Sequence, residues 1–199
     1  MSLLVVEDGS PGFTKGKKLK KMGMYCADTA ELYFEDCRVP KENLLGEENQ
    51  GFFHLMQKLP QERLMCAIQT QVAAETMLDI TIQYCREREA FGKPIGRFQH
   101  NAFKIVEMAT EVELGRSFIN DLIADHIKGK DINKKAAMAK WWLAEMANRV
   151  AYDCVQLHGG YGYMEEYPIC RWYRDIRASS IYAGTTEIMK TIIAKGLGF

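Results

Sequence analysis

The segment Asp153–Asp175, DCVQLHGGYGYMEEYPICRWYRD, decides how this chain folds. It follows a long stretch with helical periodicity, and the adjacent glycines Gly159 and Gly160 predict the end of that helix. Glycine at a helix end permits left-handed backbone conformations and lets a ligand or another chain approach the backbone closely. From these residues alone, two interpretations stay open: a helix cap followed by a tight turn, and a backbone exposed for binding.

The composition is that of an ordinary globular chain. The 199 residues are 47% hydrophobic, which suits one or two domains with their own core. Lys and Arg together number 26, as do Asp and Glu, so no overall charge favours nucleic acid or an anionic membrane. The one basic run, Lys15–Lys21, is predicted to be a solvated turn, with a role in steering phosphate groups as the alternative.

The six cysteines indicate neither a disulfide framework nor a metal site. They form no CxxC pair and have no metal-ligand spacing with the four histidines, so we predict buried thiols in a reducing compartment. No signal peptide or membrane span is recognisable. The abrupt start in a strand-like run at Leu3 predicts that the chain is part of something longer.

Hydrophobic periodicity divides the chain into two regions. Residues 1–46 contain short alternating runs and turn residues, which predict a few β-strands that cannot bury both faces of a sheet alone. Residues 47–199 have apolar residues at three- and four-residue spacing, which predicts helices joined by short loops. The predicted fold class is therefore mainly α, an antiparallel four-helix bundle preceded by a few β-strands. The helices are predicted at about 47–88, with a break or kink at Pro60, and at 98–128, 133–157, from 168, and 185–195.

Several kinds of catalytic site are disfavoured by spacing. No histidine has a glutamate three residues upstream, as the di-iron sites of helical bundles require, and there is no HExxH zinc motif. The Gly159–Gly162 stretch differs from GxGxxG and follows a helix, whereas a dinucleotide-binding fingerprint follows a strand.

Polar and glycine-rich clusters remain, and all of them fall at predicted element boundaries. An antiparallel bundle can gather such boundaries around one ligand, although each cluster alone is more often a cap or a turn. The clusters are Glu62 after Pro60, Arg88–Gly92, Gln99, Gln156–Gly160 and Ala183–Glu187.

In order and register, these motifs resemble the acyl-CoA dehydrogenase family over nearly the whole chain. The pattern from Gln156 through Gly159, Gly160, Gly162 and Tyr163 to Glu166 is similar to the family's C-terminal signature. Three further motifs also match. They are REAFG at Arg88–Gly92 with FQ at Phe98–Gln99, the segment from TAEL at Thr29–Leu32 to RVP at Arg38–Pro40, and YAGTTEI at Tyr182–Ile188. By this resemblance, residues 1–46 are the end of the middle β domain and residues 47–199 the C-terminal helical-bundle domain.

The resemblance implies an activity, a cofactor and partners. It implies FAD-dependent oxidation of an acyl-CoA thioester to the trans-2-enoyl-CoA, with electron-transfer flavoprotein as acceptor, in a homo-oligomer, by resemblance a tetramer. The location would be the cytoplasm in a bacterium or the mitochondrial matrix in a eukaryote. An acyl-CoA oxidase and a non-catalytic helical oligomerisation module are the alternatives. Because the family's N-terminal helical domain and most of its β domain are not in these 199 residues, we expect the chain alone to bind FAD weakly and to be inactive.

The resemblance also points to Glu62 as the general base. Many family members place the base just before the GlyThr of the last loop, but that position is Ala183 here, which has no ionisable group. A branch that includes long-chain and isovaleryl enzymes places it in a Glu-Arg motif, which here is Glu62 and Arg63. With a helix break at Pro60, Glu62 would lie in a first turn, where the helix dipole stabilises an anion.

Further site residues are carried over by resemblance. The Ala183 N–H would bind the thioester carbonyl oxygen, and no metal site is implied. Substrate binding is assigned to Phe53, Pro60, Gln61, Glu62, Arg63, Ala183 and Gly184. FAD binding, mainly to the FAD of a neighbouring subunit, is assigned to Arg88, Gln99, Gln156, Leu157, His158, Gly159 and Gly160, with Thr185, Thr186 and Glu187 at the start of the last helix.

Overall fold

Five α-helices make up most of the chain, which confirms the predicted mainly α class. A computed structural model describes all residues, Met1–Phe199. Two compact units divide between Leu59 and Pro60. The elements are β1 Leu3–Leu4, β2 Phe13–Lys18, β3 Ala30–Phe34, β4 Leu44–Leu45, α1 Gly51–Glu87, β5 Glu89–Ala90, β6 Lys93–Pro94, α2 Gln99–Ile127, α3 Asn133–His158, α4 Pro168–Ile176 and α5 Thr186–Gly196.

The unit Met1–Leu59 contains two small antiparallel sheets, β1–β4 and β2–β3. Phe13 lies opposite Phe34, and their rings stack with centroids 5.0 Å apart. The prediction of a turn for the whole run Lys15–Lys21 is wrong, because Lys15–Lys18 belongs to β2. Lys15 pairs with Asp8 at 2.8 Å and Lys18 with Asp28 at 2.7 Å, so nearby carboxylates balance these charges.

Helix α1 runs through Pro60 without a break, so of the predicted break or kink the break is wrong. A proline inside a helix loses one hydrogen bond and clashes with the preceding turn, at a cost of about 3 kcal/mol. The residues that follow Pro60 bury a long apolar face, which offsets that cost. This face includes Leu64, Ala67, Ala74, Met77 and Leu78. One consequence is that Glu62 lies inside a helix, so the stabilisation predicted from a helix N-terminus does not apply to it.

Within the unit Pro60–Phe199, side-chain contacts establish the directions of the three long helices. Gln71 of α1 donates to the Val112 carbonyl of α2 at 2.8 Å. Cys154 of α3 contacts both Met77, which comes later in α1 than Gln71, and Met108, which comes earlier in α2 than Val112. Helices α1 and α2 are therefore antiparallel. At the start of α3, Asn133 bonds to Arg63, and at its end His158 bonds to Tyr84, so α1 and α3 run in the same direction.

Helix α3 occupies the centre of this unit and packs against α2, α4 and α5. Its buried face is rich in alanine, which lets neighbouring helices approach closely. These residues include Ala136, Ala137, Ala139, Ala144, Ala147 and Ala151. The up-down-up arrangement brings the end of α1, the start of α2 and the end of α3 to one end of the bundle.

Candidate functional site

A groove of about 710 Å³ lies at this end of the bundle. Six of the residues predicted to bind the cofactor line it, namely Arg88, Gln156, Leu157, His158, Gly159 and Gly160. Gln99 is exposed at the first position of α2, directly before the lining residues His100 and Asn101. The bundle thus gathers segments that are far apart in the sequence.

The backbone at the end of α3 is open to a ligand. The helix ends at His158, as the glycine pair predicted, and Gly159 takes the left-handed region with φ 60°. A β-carbon added at Gly159 or Gly160 would meet no atom within 4 Å. Any group that enters the groove can therefore come close to this main chain.

His158 is buried and structural in its contacts. Its Nδ1 lies 2.8 Å from the Cys154 carbonyl oxygen, which can only accept, so Nδ1 carries the proton. Its ring stacks on Tyr84, with centroids 4.2 Å apart. Burial lowers the pKa of His158, so the imidazole stays neutral and positions the following glycines without adding charge.

Positive charge in the groove comes from Arg88 and Lys104. The Lys104 ammonium is 3.4 Å from Asp153 Oδ2, and this carboxylate raises the pKa of Lys104. Arg88 is exposed, forms no ion pair, and places its guanidinium carbon 5.3 Å from the centre of the Tyr161 ring. An unpaired arginine, open glycine backbone and aromatic rings together suit a ligand that carries phosphate and a planar ring.

A second cluster is formed by the loop Tyr182–Thr185 and the first turn of α5. Ala183 and Gly184 are both left-handed, with φ 54° and 97°. Thr185 caps α5, because its Oγ1 accepts from the Ile188 N–H at 3.4 Å. The predicted cofactor residues Thr185, Thr186 and Glu187 therefore stand at a helix N-terminus, which favours an anionic partner.

Side chains of α3 form hydrogen bonds with this loop and with the first turn of α5. Lys140 Nζ donates to the Gly184 carbonyl at 2.5 Å, and Thr186 Oγ1 donates to Glu145 Oε1 at 2.5 Å. Glu187 is exposed, and the hydrogen bonds from its own backbone N–H and from Thr185 lower its pKa. The contacts Lys140–Gly184, Thr186–Glu145 and Thr185–Glu187 consequently fix the loop and the first turn of α5.

The predicted base, Glu62, is exposed on α1. The next residue, Arg63, is buried, donates from Nη1 to Asn133 Oδ1 at 3.2 Å, and has no partner for its Nε. Burial lowers the pKa of Arg63 and raises the pKa of the Cys66 thiol one turn further on. The Lys140 ammonium and the Glu62 carboxylate both act on the Cys66 thiol, and Cys66 in turn acts on the Tyr182 phenol, so Cys66 links this part of α1 to the loop after Ile181.

The other predicted substrate residues are distributed along α1. Gln61 is exposed and Pro60 is half-buried. Phe53 belongs to the unit Met1–Leu59, where it is exposed and lies edge-on to Phe52 with ring centroids 6.0 Å apart.

Sequence reasoning missed Lys140, Tyr84 and Lys104 as site residues. For Lys140 a signal was available, since a lysine four residues after Ala136 and three before Leu143 interrupts the apolar face of α3. A charged residue at a core position needs a partner. Tyr84 and Lys104 can be recognised as groove residues only when it is known that the ends of α1, α2 and α3 meet.

Other kinds of site are not evident. No three histidine, cysteine, aspartate or glutamate side chains are grouped so that they could hold a metal ion. None of the helices combines the length and the apolar character needed to cross a membrane.

The fold and these two clusters define a helical-bundle domain with an open groove at one end and a loop of left-handed residues held by Lys140. Residues 49–198 match the model of the acyl-CoA dehydrogenase C-terminal domain. The chain belongs to the acyl-CoA dehydrogenase family.

Individual relatives agree with this assignment. The chain is 51% identical over 195 residues to the long-chain specific acyl-CoA dehydrogenase, mitochondrial, of Rattus norvegicus. The matched residues are 98% of this chain and 45% of that protein. It superposes on the crystal structure of acyl-CoA dehydrogenase from Geobacillus kaustophilus with a TM-score of 0.98 and 58% identity, over 100% of this chain and 52% of that one. A structure described as the electron transferring flavoprotein of Acidaminococcus fermentans matches with a TM-score of 0.95 and 41% identity, over 99% and 52%. The chain thus spans about half the length of these relatives.

Proposed function

We propose that the protein is an FAD-dependent acyl-CoA dehydrogenase that converts an acyl-CoA thioester to the trans-2-enoyl-CoA, with Glu62 as the general base. The observation that carries the proposal is the left-handed pair Ala183–Gly184 in a chain of this family, with no ionisable group at Ala183 and with Glu62 one turn before Cys66, the α1 residue that acts on Tyr182. The identity to a long-chain specific relative supports long straight acyl chains as the first substrates to test.

The groove at the end of α3 fits the phosphate-bearing part of FAD. Arg88 would pair with a phosphate oxygen, and the lack of side chains at Gly159 and Gly160 would let the phosphates come close to the main chain. Tyr84 and Tyr161 would border a ring of the ligand. When bound, FAD supplies the hydride acceptor for the oxidation. Because the groove faces outward, we infer that a neighbouring copy of the protein shares the cofactor, in a homotetramer.

The chain's own residues account for the proton chemistry. The Ala183 N–H would donate to the thioester carbonyl oxygen, which acidifies the α-carbon by stabilising negative charge on that oxygen. The Glu62 carboxylate would then take the α-proton onto one of its oxygens. Gly184 permits close approach on the other side of Ala183, and Pro60, Gln61 and Arg63 would line the path of the acyl chain and CoA.

Glu62→Gln tests the base directly. We expect kcat for acyl-CoA oxidation to fall about 10²–10⁴-fold, because the amide cannot accept the proton, while FAD stays bound. Glu113→Gln is the matched control, since Glu113 is an exposed glutamate of α2 that lies outside both clusters. Normal turnover in Glu62→Gln would refute the assignment of the base.

A proton-exchange assay separates the base from the oxidation. A 3,3-dimethylacyl-CoA has no β-hydrogen to lose, so its α-protons can exchange with deuterium from D2O but it cannot be oxidised. We expect exchange in the wild type and in Glu113→Gln, and none above background in Glu62→Gln. Equal exchange in all three proteins would exclude Glu62 as the group that takes the α-proton.

The electron acceptor and the form of the protein need separate measurements. We infer that electron-transfer flavoprotein reoxidises the enzyme, and oxygen consumption in its absence would instead identify an acyl-CoA oxidase. We expect the 199 residues alone to hold little flavin and to be inactive, because Glu62 and the groove are open to water. Absence of both flavin and turnover in the protein as its gene encodes it would favour a helical oligomerisation module.

A further inference from the structure

We propose that Lys140 is a positioning residue for the substrate: its ammonium holds Gly184 and thereby fixes the Ala183 N–H where an acyl thioester oxygen can accept from it. The proposal rests on the proposed function, because it assigns Lys140 a part in the same substrate site. Lys140 itself touches neither the thioester nor the reacting carbons.

Lys140 contacts the loop on both sides of Ala183. It is 1% exposed in the middle of α3, and its Nζ lies 2.5 Å from the Gly184 carbonyl oxygen. The same ammonium lies 5.9 Å from the centre of the Tyr182 ring. One buried cation therefore restrains the residue before Ala183 and the residue after it.

The conformation of the loop explains why such a restraint is needed. Ala183 has φ 54°, a region that residues with a β-carbon rarely occupy, and Gly184 follows at 97°. Such backbone geometry persists only where the surroundings hold it in place. From the α5 side, Thr186 is bonded to Glu145 and Met189 packs under Gly184. From the α3 side, Lys140 restrains the loop through its hydrogen bond to the Gly184 carbonyl.

Packing alone would not require a charge at position 140. A buried ammonium loses its hydration, and a methionine of similar length would fill the same space without that loss. Glu145 and Glu187 act favourably on the Lys140 charge, whereas Arg63 opposes it. A charged donor forms a stronger hydrogen bond to a carbonyl than a neutral one does. A buried positive charge this close to Ala183 also favours the negative charge that develops on a thioester oxygen.

Hydrogen exchange tests the restraint without any turnover. In Lys140→Met, we expect the amides of Ile181 and Tyr182, which both donate to the Ala178 carbonyl, to exchange about tenfold or more faster than in the wild type, because the loop that follows them loses a hydrogen bond to a charged group. Val150→Ala is the control, since Val150 is a buried α3 residue whose truncation destabilises the fold without touching the loop. Unchanged exchange of these amides in Lys140→Met, or the same increase in Val150→Ala, would overturn the proposal.

Kinetics and infrared spectroscopy test the consequence for the substrate in the FAD-loaded protein as its gene encodes it. We expect Lys140→Met to lower kcat about 10- to 100-fold with KM changed less than about threefold, because a misplaced donor stabilises the transition state less. With a ¹³C-carbonyl 2,2-dimethylacyl-CoA, which has no α-proton, the bound carbonyl stretch should move to higher frequency as its hydrogen bond weakens. A normal kcat or an unmoved carbonyl band in Lys140→Met contradicts the proposal.

A second variant keeps the test decisive. Lys140→Gln retains an N–H donor without the charge, so its loop exchange rate and kcat should lie between those of the wild type and Lys140→Met. If Lys140→Met does not fold, the comparison of Lys140→Gln with the wild type decides in the same way. If the wild type oxidises no acyl-CoA yet loop exchange depends on Lys140, the proposed function fails and the restraint by Lys140 is supported.

Discussion

The phenol ring of Tyr84 lies on the imidazole of His158, with ring centroids 4.2 Å apart and planes inclined by 20°. The Tyr84 hydroxyl also donates to the His158 carbonyl oxygen at 3.3 Å. These contacts join the end of α1 to the last residue of α3, immediately before Gly159. They fix the direction in which the chain leaves α3 and therefore where the open glycine backbone of the groove lies.

Loss of the Tyr84 ring should weaken this junction. We expect Tyr84→Leu to lower the free energy of unfolding by about 1–2 kcal/mol, because an aromatic pair contributes up to about 1.5 kcal/mol beyond its buried area. Tyr84→Phe keeps the stacked ring and loses only the hydroxyl, so its loss should stay within about 1 kcal/mol. Urea unfolding followed by circular dichroism measures both. Equal stability of the Leu and Phe variants would show that the stack contributes nothing.

Buried His158 should make stability depend on pH. Because burial lowers its pKa in the folded state, the unfolded chain binds a proton as pH falls through about 6.5 while the folded chain does not. The free energy of unfolding should therefore fall with pH from about 6.5 down to the lowered pKa. His158→Phe keeps an aromatic ring but cannot bind a proton, so urea unfolding between pH 7 and 5 should give a shallower slope.

A control separates titration from general destabilisation in this experiment. Ile169→Val removes one buried methylene of α4 at a cost of about 1 kcal/mol and introduces no titratable group. It should lower stability equally at every pH, with the wild-type slope. A wild-type slope in His158→Phe would contradict the assignment to this imidazole.

Sequence periodicity predicted α2 to α5 well because their apolar residues recur at helical spacing and their ends carry strong signals. Pro168 opens α4, Thr185 caps α5, and the glycines after His158 end α3. Such signals are local, so they can be read without knowing the fold. Strand β2 was missed because the lysines of an exposed strand resemble a solvated turn.

The errors at α1 and at Lys140 have a different origin. A proline is a local signal against a helix, and the burial of residues that follow Pro60 outweighs it, which only the packed bundle reveals. Lys140 was passed over within an apolar helix face because its partner is a backbone carbonyl, Gly184, far along the chain. The groove was anticipated from its motifs, whereas Tyr84 and Lys104 join it through the antiparallel register of the helices.

Close packing around Gly115 predicts a sensitive position in the core. A β-carbon there would lie 2.3 Å from Gln71 Oε1 and 2.7 Å from Leu143 Cδ2, at the crossing of α1, α2 and α3. Gly115→Ala should therefore destabilise the fold by about 1–3 kcal/mol, although alanine has the higher helix propensity. Thermal unfolding is the measurement. A melting temperature equal to or above that of the wild type would show that the three helices separate readily at this point.

The opposite behaviour is expected of Gly160, where a β-carbon would meet nothing within 4 Å. Gly160→Ala should leave the melting temperature within about 2 °C of the wild type, because the added methyl group displaces no protein atom.

If FAD approaches the main chain here, the same methyl group should weaken flavin binding about tenfold or more, since it holds the ligand away from the main chain. Flavin content after dialysis and titration with FAD measure the effect in the protein as its gene encodes it. Gly115→Ala, which lies away from the groove, is the control and should retain the wild-type FAD affinity below its melting temperature. Unchanged affinity in Gly160→Ala would remove the Gly159–Gly160 backbone from the proposed cofactor surface.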